Sequence, residues 1–298
     1  MALAPGAFRL MGIVNVTPDS FSDGGRFLEA GAAIEHSLRL VGEGADIVDV
    51  GGESTRPGAE PVGAEVELER VQPVIEGLAA AATGVQISID TSKASVAGAS
   101  LGAGASLVND VSAFRADPAM AGVVADSDAD CCLMHMLGEP RTMQQNPRYE
   151  DVLDEVKAFL EERLAFAVSE GVSERRVLLD PGIGFGKTVE HNLVLLRRLG
   201  ELLALGRPLV IGTSRKSFLA RIAGAGLREV AKLETTGGEE QPSARLAGTV
   251  ASNVLALERG ASVFRVHDVA PVREALAVAA ATLGERWTAR SSGTTPTS

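Results

Sequence analysis

Polar and charged side chains follow a series of short apolar segments along this chain. Five motifs have this position: NVTPDSFSDGG (15–25), DVGGESTRPG (49–58), DPGIGFGK (180–187), GTSRKS (212–217) and RVHD (265–268). Two shorter motifs, IDT (89–91) and VND (108–110), end apolar segments in the same way. Carboxylates, amides, hydroxyls and cations of this kind bind and orient a polar small molecule when the fold brings them together.

The chain is acidic, with a formal net charge of −11, yet its motifs carry cations. The basic residues within the motifs are Arg56, Lys187, Arg215, Lys216 and Arg265. An acidic protein that keeps cations beside its apolar segments is suited to an anionic small molecule. The same net charge argues against nucleic acid or an anionic membrane as the main partner.

Three acceptor side chains end apolar segments: Asp90, Asn109 and Asp180. Each alone could simply cap the helix that follows, but three at one edge favour a ligand site. Arg265 and His267 are separated by one residue, so a strand places both on the same face. A core histidine and a surface arginine are the alternative, but an arginine on the inward face of a barrel needs an anion.

Eight apolar segments rich in Val, Ile and Leu have the pattern of strands that are buried on both faces. The predicted strands are 8–16, 46–50, 85–90, 106–109, 130–135, 176–180, 208–212 and 262–266. Amphipathic segments between them predict helices, among them 30–43, 65–82, 149–170 and 244–259. Eight strand–helix repeats predict an α/β protein, a (β/α)₈ TIM barrel whose strand ends meet in one mouth. A doubly wound open sheet is the alternative, but no GxGxxG follows the first strand.

The barrel is expected to be a single domain over residues 1–285. Within it, 224–242 is polar and predicts a mobile surface insertion, and the tail 286–298 predicts disorder. Cys131 and Cys132 are adjacent, so on a strand they point to opposite faces and no disulfide is expected. No apolar run is long enough for a membrane span and the N-terminus lacks a signal-peptide pattern, so a cytoplasmic protein without a membrane partner is expected.

The motifs resemble those of the dihydropteroate synthase family over residues 8–283. One motif such as GESTRPG would be moderately specific, whereas five in this order, with IDT and VND between them, are very specific. The resemblance implies a pterin-binding TIM barrel of folate biosynthesis. Such an enzyme is a transferase that joins 6-hydroxymethyl-7,8-dihydropterin diphosphate to p-aminobenzoate and releases pyrophosphate. The resemblance also implies Mg²⁺ as a cofactor and a homodimer.

The resemblance assigns the pterin ring to a set of acceptors and one donor. A pterin has ring N–H and amino donors that suit carboxylate or amide acceptors, and a carbonyl that suits a lysine. Phe185 and Met134 would add apolar surface against the ring, although Met134 also suits plain core packing. The acceptors and the donor are Asp90, Asn109, Asp180 and Lys216.

The diphosphate is assigned by the resemblance to Arg265 and His267, and Asn15 is implied to contact Mg²⁺ and pyrophosphate. Mg²⁺ prefers phosphate oxygens and water, so one asparagine without a carboxylate cage suffices. We expect a dissociative substitution in which Asn15, Arg56, Arg265 and His267 stabilise the departing pyrophosphate. Asp49 and Asp90 are expected to oppose the positive charge that develops at the pterin methylene carbon.

The loops 17–25 and 54–58 have little to bury and are implied to close over the site. Thr55, Arg56 and Pro57 would then complete the p-aminobenzoate pocket. Ser217 is expected to open the helix after SRK, where its hydroxyl and the helix N-terminus suit the carboxylate of p-aminobenzoate. An ordinary helix cap remains the alternative for Ser217.

Two alternative functions remain open. A methyltetrahydrofolate-binding domain of a corrinoid methyltransferase shares the barrel and the pterin-facing acceptors, but it would not need the SFSDGG, STRPG and SRKS segments. A non-enzymatic paralogue that binds pterin is the second alternative. All the motif positions are filled in this sequence, which weighs against it.

Overall fold

Eight short parallel strands form one sheet within the part of the chain that the structure describes. The structure is a computed structural model, and it describes residues 7–17, 26–55, 58–230 and 242–284. The strands are β1 (Arg9–Asn15), β2 (Ile47–Gly51), β3 (Gln86–Asp90), β4 (Leu107–Asp110), β5 (Asp130–Met134), β6 (Val177–Asp180), β7 (Val210–Ile211) and β8 (Val263–Val266). The sheet order is β6-β5-β4-β3-β2-β1-β8-β7, and a bridge from Leu179 to Leu209 brings β6 beside β7. The predicted (β/α)₈ barrel is confirmed.

Helices alternate with the strands and cover the outside of the barrel. They are α1 (Arg26–Gly42), α2 (Ala64–Ala80), α3 (Ala94–Gly102), α4 (Met120–Ser127), α5 (Val152–Ser169), α6 (Val189–Arg197), α7 (Ser217–Val230), α8 (Pro242–Glu258) and α9 (Val269–Leu283). In α2, Val71, Val74, Ile75 and Leu78 recur at helical spacing and are buried, which fixes the face that packs on the strands. Asp151 caps α5 by accepting hydrogen bonds from two backbone N–H groups.

The interior of the barrel changes from apolar to polar along the strands. Seven strands each contribute one residue to a buried inner cluster: Met11, Ile47, Leu107, Cys132, Leu178, Val210 and Val263. Side chains two residues apart on a strand share a face. The next inward positions after Ile47, Leu107, Leu178 and Val263 are Asp49, Asn109, Asp180 and Arg265. The alternation of the strands therefore places four predicted site residues at the C-terminal mouth, directly above the apolar layer.

The prediction that the adjacent cysteines point to opposite faces is confirmed, and three glycines end helices. Gly44, Gly104 and Gly260 lie between a helix and the next strand and have positive φ values of 102°, 120° and 92°. Cys131 belongs to the core under the helices and Cys132 to the inner cluster, so the two free thiols lie on opposite faces of β5.

The segment 224–242, which was predicted to be a mobile surface insertion, begins within a helix. Helix α7 continues through Val230 and α8 begins at Pro242, so residues 224–230 are helical. The remaining residues, 231–241, and the predicted tail, 286–298, lie outside the described residues. Within the described ranges, none of the helices is long and apolar enough to cross a membrane.

Candidate active site

Arg265 lies at the centre of the mouth, between two carboxylates. Its Nε donates to Asp49 Oδ2 at 2.7 Å, and its Nη2 donates to Asp90 Oδ2 at 2.7 Å. An arginine has five N–H groups, of which these two bonds use two. The guanidinium is thus fixed in position by β2 and β3 while it keeps donors for a further anion.

Asp49 accepts hydrogen bonds from three neighbouring side chains at the mouth. Its side chain is 0% exposed, and its Oδ1 accepts from the Ser88 hydroxyl at 2.6 Å. Its Oδ2 accepts from Asn109 Nδ2 at 3.0 Å as well as from Arg265. Both carboxylate oxygens are therefore engaged, and Asp49 orients the amide of Asn109 and the guanidinium of Arg265 rather than facing the cavity.

Asp90 occupies the end of β3, next to the backbone of Gly51 on β2. Burial raises the pKa of Asp90 to about 7; Arg265 opposes this shift and the nearby charge of Asp49 adds to it. For Arg265, burial lowers the pKa, but Asp49 and Asp90 more than offset this and the net change is upward. The cation therefore stays charged, whereas the proton on Asp90 responds to a ligand near neutral pH.

A second part of the mouth consists of Asp180, Lys216 and the loop that follows β6. The Asp180 carboxylate accepts from the Gly182 N–H at 2.6 Å. Lys216 Nζ donates to the Ile183 carbonyl and lies 4.4 Å from the centre of the Phe185 ring. Burial raises the pKa of Asp180, although Lys216 opposes it.

Lys216 is electrostatically linked to both parts of the mouth. Burial lowers the pKa of Lys216 to about 8, Asp180 opposes that change and Arg265 adds to it. Arg265 also opposes the rise in the pKa of Asp180. Since β7 lies between β6 and β8 in the barrel, the ends of these strands place the two parts side by side.

An apolar wall borders this cavity on the side of β5 and β6. The buried Met134, Met136 and Met143 form a small cluster, and Phe185 packs against it. Met134 lies opposite Asp180 in the strand register. Flexible thioethers and an aromatic ring provide a surface that suits the face of a planar heteroaromatic ligand.

His267 directly follows β8, and Ser217 begins the helix that follows β7. The Nδ1 atom of His267 is 3.0 Å from the Ser214 hydroxyl, which also accepts from the His267 N–H at 3.2 Å. Ser217 is the first residue of α7 and is exposed, as the sequence predicts for a helix start. The intervening Arg215 is paired with Asp268 through two bonds, at 3.1 and 2.6 Å.

Asn15 and Thr55 belong to the segments that leave β1 and β2. Asn15 ends β1, is half-buried and faces Gly51 in the strand register. Thr55 is half-buried, whereas Arg56, Pro57 and residues 18–25 lie outside the described residues. In the described ranges, no three His, Cys, Asp or Glu side chains cluster as metal ligands would.

One buried pair beside the mouth was missed by the sequence reasoning. Lys187 is 3% exposed, and its Nζ lies 2.8 Å from His135 Nδ1 and 3.0 Å from the Phe185 carbonyl. Burial lowers the pKa of Lys187 well below its usual value, and burial together with Lys187 lowers the pKa of His135 to about 2. His135 is therefore neutral near pH 7, and its Nδ1 and the Phe185 carbonyl are the two acceptors beside the Lys187 amine. A histidine directly after a buried strand was the only sequence signal.

The side chains at the mouth determine which kind of ligand it suits. Carboxylate and amide acceptors line one side, a lysine and an aromatic ring line another, and a guanidinium with spare donors lies between them. These groups are complementary to a planar ring rich in N–H donors and to an attached anion. The two cysteines are buried, and burial raises the pKa of each thiol, to about 12 for Cys131, so neither is an activated nucleophile.

Comparisons with known proteins agree with this geometry. Residues 11–267 match the family model described as "Pterin binding enzyme". The dihydropteroate synthase of Escherichia coli K12 is 43% identical, with 93% of this chain and 92% of that protein covered. That of Mycobacterium leprae is 46% identical, with 95% of both covered.

Solved structures give the same result. Xanthomonas albilineans dihydropteroate synthase with 4-aminobenzoic acid aligns with a TM-score of 0.83 at 46% identity, over 94% of each chain. The same enzyme in complex with 7,8-dihydropteroate aligns with a TM-score of 0.80 at 44% identity, over 94% of this chain and 95% of that one. The chain therefore belongs to the pterin binding enzyme family and, within it, to the dihydropteroate synthases, which are transferases.

Proposed function

We propose that the chain joins 6-hydroxymethyl-7,8-dihydropterin diphosphate to p-aminobenzoate, giving 7,8-dihydropteroate and pyrophosphate. The observation that carries this proposal is the combination of Asp90, Asn109, Asp180 and Lys216 in one mouth with Arg265. The relatives whose solved structures hold 4-aminobenzoic acid or 7,8-dihydropteroate support the same choice of substrates.

The pterin ring is proposed to bind with its donor edge toward the acceptors. Asp90, Asn109 and Asp180 accept from ring N–H and amino groups, and Lys216 donates to the ring carbonyl. Asn109 is held in a single orientation because its amide nitrogen already donates to Asp49 at 3.0 Å. Its amide oxygen is therefore left to accept from the ligand. Phe185 and Met134 would cover the faces of the ring.

The diphosphate is proposed to lie above Arg265, near His267 and Asn15. Arg265 keeps three N–H groups after its two carboxylate bonds, which are enough for a bidentate contact with phosphate oxygens. Arg56, in the loop after β2, would add a second cation. The amide of Asn15, at the mouth end of β1, would reach the leaving pyrophosphate.

Mg²⁺ is proposed as the cofactor, and the side chains at this end of the barrel fit it. Mg²⁺ keeps several waters and takes its remaining ligands from a few oxygens, chiefly phosphates. The half-buried Asn15 supplies one amide oxygen beside the proposed diphosphate position, and no cage of protein carboxylates is needed. When bound, Mg²⁺ would neutralise negative charge on the diphosphate.

The proposed reaction is a dissociative substitution at the pterin methylene carbon. The bond from this carbon to the diphosphate oxygen breaks, and the electron pair leaves with pyrophosphate toward Arg265, His267 and Arg56. The dihydropterin ring delocalises the positive charge, which Asp90 stabilises at close range. Asp49 acts through Arg265 and Asn109, since both of its oxygens are already engaged. The arylamine nitrogen then bonds to the carbon and loses a proton to water or pyrophosphate.

Positioning and fixed charges are proposed to supply most of the acceleration. The amine of p-aminobenzoate is neutral and nucleophilic at pH 7, so no strong base is required. Thr55, Arg56 and Pro57 would complete its pocket, with Ser217 at the start of α7 for its carboxylate.

The test is to incubate the purified protein with the pterin diphosphate, p-aminobenzoate and Mg²⁺ and to identify products by mass spectrometry. Dihydropteroate and pyrophosphate in equal amounts are expected. Formation of no product, or transfer of a methyl group to a corrinoid from methyltetrahydrofolate, would contradict the proposal. Lys216→Ala and Asp180→Ala should abolish pterin binding, whereas intact turnover in either variant would refute the assigned roles.

A homodimer in the cytoplasm is proposed for the assembly and its location. An apolar groove of about 510 Å³ lies between α6, α7 and α8, with Phe218, Leu219 and Ala251 in its lining. Ile222 and Leu255, which also line it, are 41% and 45% exposed. A contiguous apolar groove on the outer helices suits a second copy of the chain better than it suits water.

A further inference from the structure

A segment follows β2, and its base, where the chain leaves the strand, is held by the carboxylate of Glu53. Glu53 follows β2 by two residues, and its Oε2 accepts from Lys93 Nζ. Its Oε1 accepts from the backbone N–H of Val62 at 3.4 Å. Both ends of the intervening segment, 54–61, therefore meet at Glu53. This segment contains Thr55 and the residues proposed to bind p-aminobenzoate.

Lys93 connects that base to the chain segment after Asp90, which is a proposed pterin ligand. It lies three residues after Asp90, in the segment between β3 and α3. Its ammonium group has a second partner, Glu67 of α2, whose side chain is 0% exposed. A buried carboxylate needs a compensating cation, so Lys93 is held by Glu67 while it holds Glu53.

The backbone of the same base is packed tightly against α2. Arg70 Nη1 donates to the Gly52 carbonyl at 2.7 Å. A Cβ atom at Gly52 would lie 2.9 Å from Val71 Cγ1 and 3.0 Å from the Glu67 carbonyl, which leaves no room for a side chain. The beginning of the loop therefore has one position, which is set by α2 and by the ion pairs.

We propose that Lys93 and Glu53 are positioning residues for the p-aminobenzoate half of the reaction. Together with Glu67 they hold the base from which Thr55 and its neighbours extend, and they fix this base relative to Asp90. The two substrates are then presented to each other in a defined geometry. This inference rests on the proposed function and adds the residues that set the second substrate's site.

The test compares Lys93→Met with Lys93→Arg in the full chain. Lys93→Met removes the ion pair, and we expect KM for p-aminobenzoate to rise by about tenfold or more, with a fall in kcat. The Kd for the pterin diphosphate, measured without p-aminobenzoate, should stay within about twofold of the wild-type value because the pterin contacts remain. Lys93→Arg keeps a cation between the two carboxylates and should restore KM.

Two controls separate positioning from stability. Lys93→Met combined with Glu67→Gln removes the uncompensated buried charge, so it should fold like the wild type and still show the raised KM. Arg273→Met removes a partly exposed ion pair with Asp46 near the opposite end of β2, and KM should not change.

The outcomes are distinguishable. If the wild-type chain forms dihydropteroate and the double variant has the wild-type KM for p-aminobenzoate, the inference is wrong while the proposed function stands. An equal loss of pterin affinity and p-aminobenzoate affinity would also overturn it, because that result indicates general disruption. If the wild-type chain forms no dihydropteroate, the proposed function itself fails.

Discussion

Replacing Arg265 with Met tests how much the ion pairs of Arg265 with Asp49 and Asp90 stabilise the folded protein. The guanidinium bridges Asp49, which is 0% exposed, and Asp90, which is 12% exposed. Met fills the volume of the stem without its charge. Removing one partner of a buried ion pair costs about 3–5 kcal/mol, because the other charge stays buried. Asp49 keeps its bonds from Ser88 and Asn109, so a loss of about 3 kcal/mol in the free energy of unfolding is expected.

The loss in the free energy of unfolding should increase with pH. The folded-state pKa of Asp90 is raised to about 7, so the folded protein binds a proton that the unfolded chain does not, and this contribution to stability is lost as pH rises toward 7. Arg265 is the group that lowers this pKa, so its removal raises the pKa further. The difference in stability between Arg265→Met and the wild type should therefore be larger at about pH 8 than at about pH 5.5.

Urea unfolding followed by circular dichroism at these two pH values measures both effects. Adding Asp90→Asn to Arg265→Met should recover part of the stability at the higher pH, because one uncompensated carboxylate is removed. Arg273→Met, which removes a partly exposed pair, should cost under about 1 kcal/mol. An Arg265→Met variant within about 1 kcal/mol of the wild type, or with the same deficit at both pH values, would show that the ion pairs of Arg265 do not stabilise the folded protein as expected.

Three further outcomes are expected. Pterin affinity should be highest between about pH 7 and pH 8, because Asp90 loses its proton near 7 and Lys216 loses its charge near 8; calorimetric titrations that give a flat profile would contradict this. Phe185→Ala should weaken pterin binding by about threefold to tenfold by removing a ring contact, and an unchanged Kd would exclude that contact. Leu255→Asp should convert the proposed homodimer to a monomer in light scattering, and a dimer that persists would place the interface elsewhere.

The strands were predictable because each is an apolar segment buried on both faces. All eight predicted segments contain the observed strands or overlap them, with differences of one or two residues at most ends. The alternation of side chains then gives the mouth residues, since Asp49, Asn109 and Arg265 each lie two positions after an inner apolar residue. These positions follow from local pattern and from the geometry of a closed barrel.

The partners of these residues were less predictable. Arg265 was expected to meet an anionic ligand, but the anions that fix it are Asp49 and Asp90, which are remote in sequence. Glu67 is of a residue type that is usually exposed, yet it lies on the buried face of α2, four residues before Val71, and pairs with Lys93. The pair of Lys187 and His135 likewise depends on the packing of two loops. Tertiary contacts of this kind leave no periodic signal in one sequence.

A crystal structure of the protein with the pterin diphosphate would show directly where the pterin binds. We expect the pterin edge within hydrogen-bond distance of Asp90, Asn109 and Asp180, with Lys216 on the ring carbonyl and the diphosphate on Arg265. A pterin bound outside the C-terminal mouth of the barrel, or one whose ring contacts none of these side chains, would contradict it.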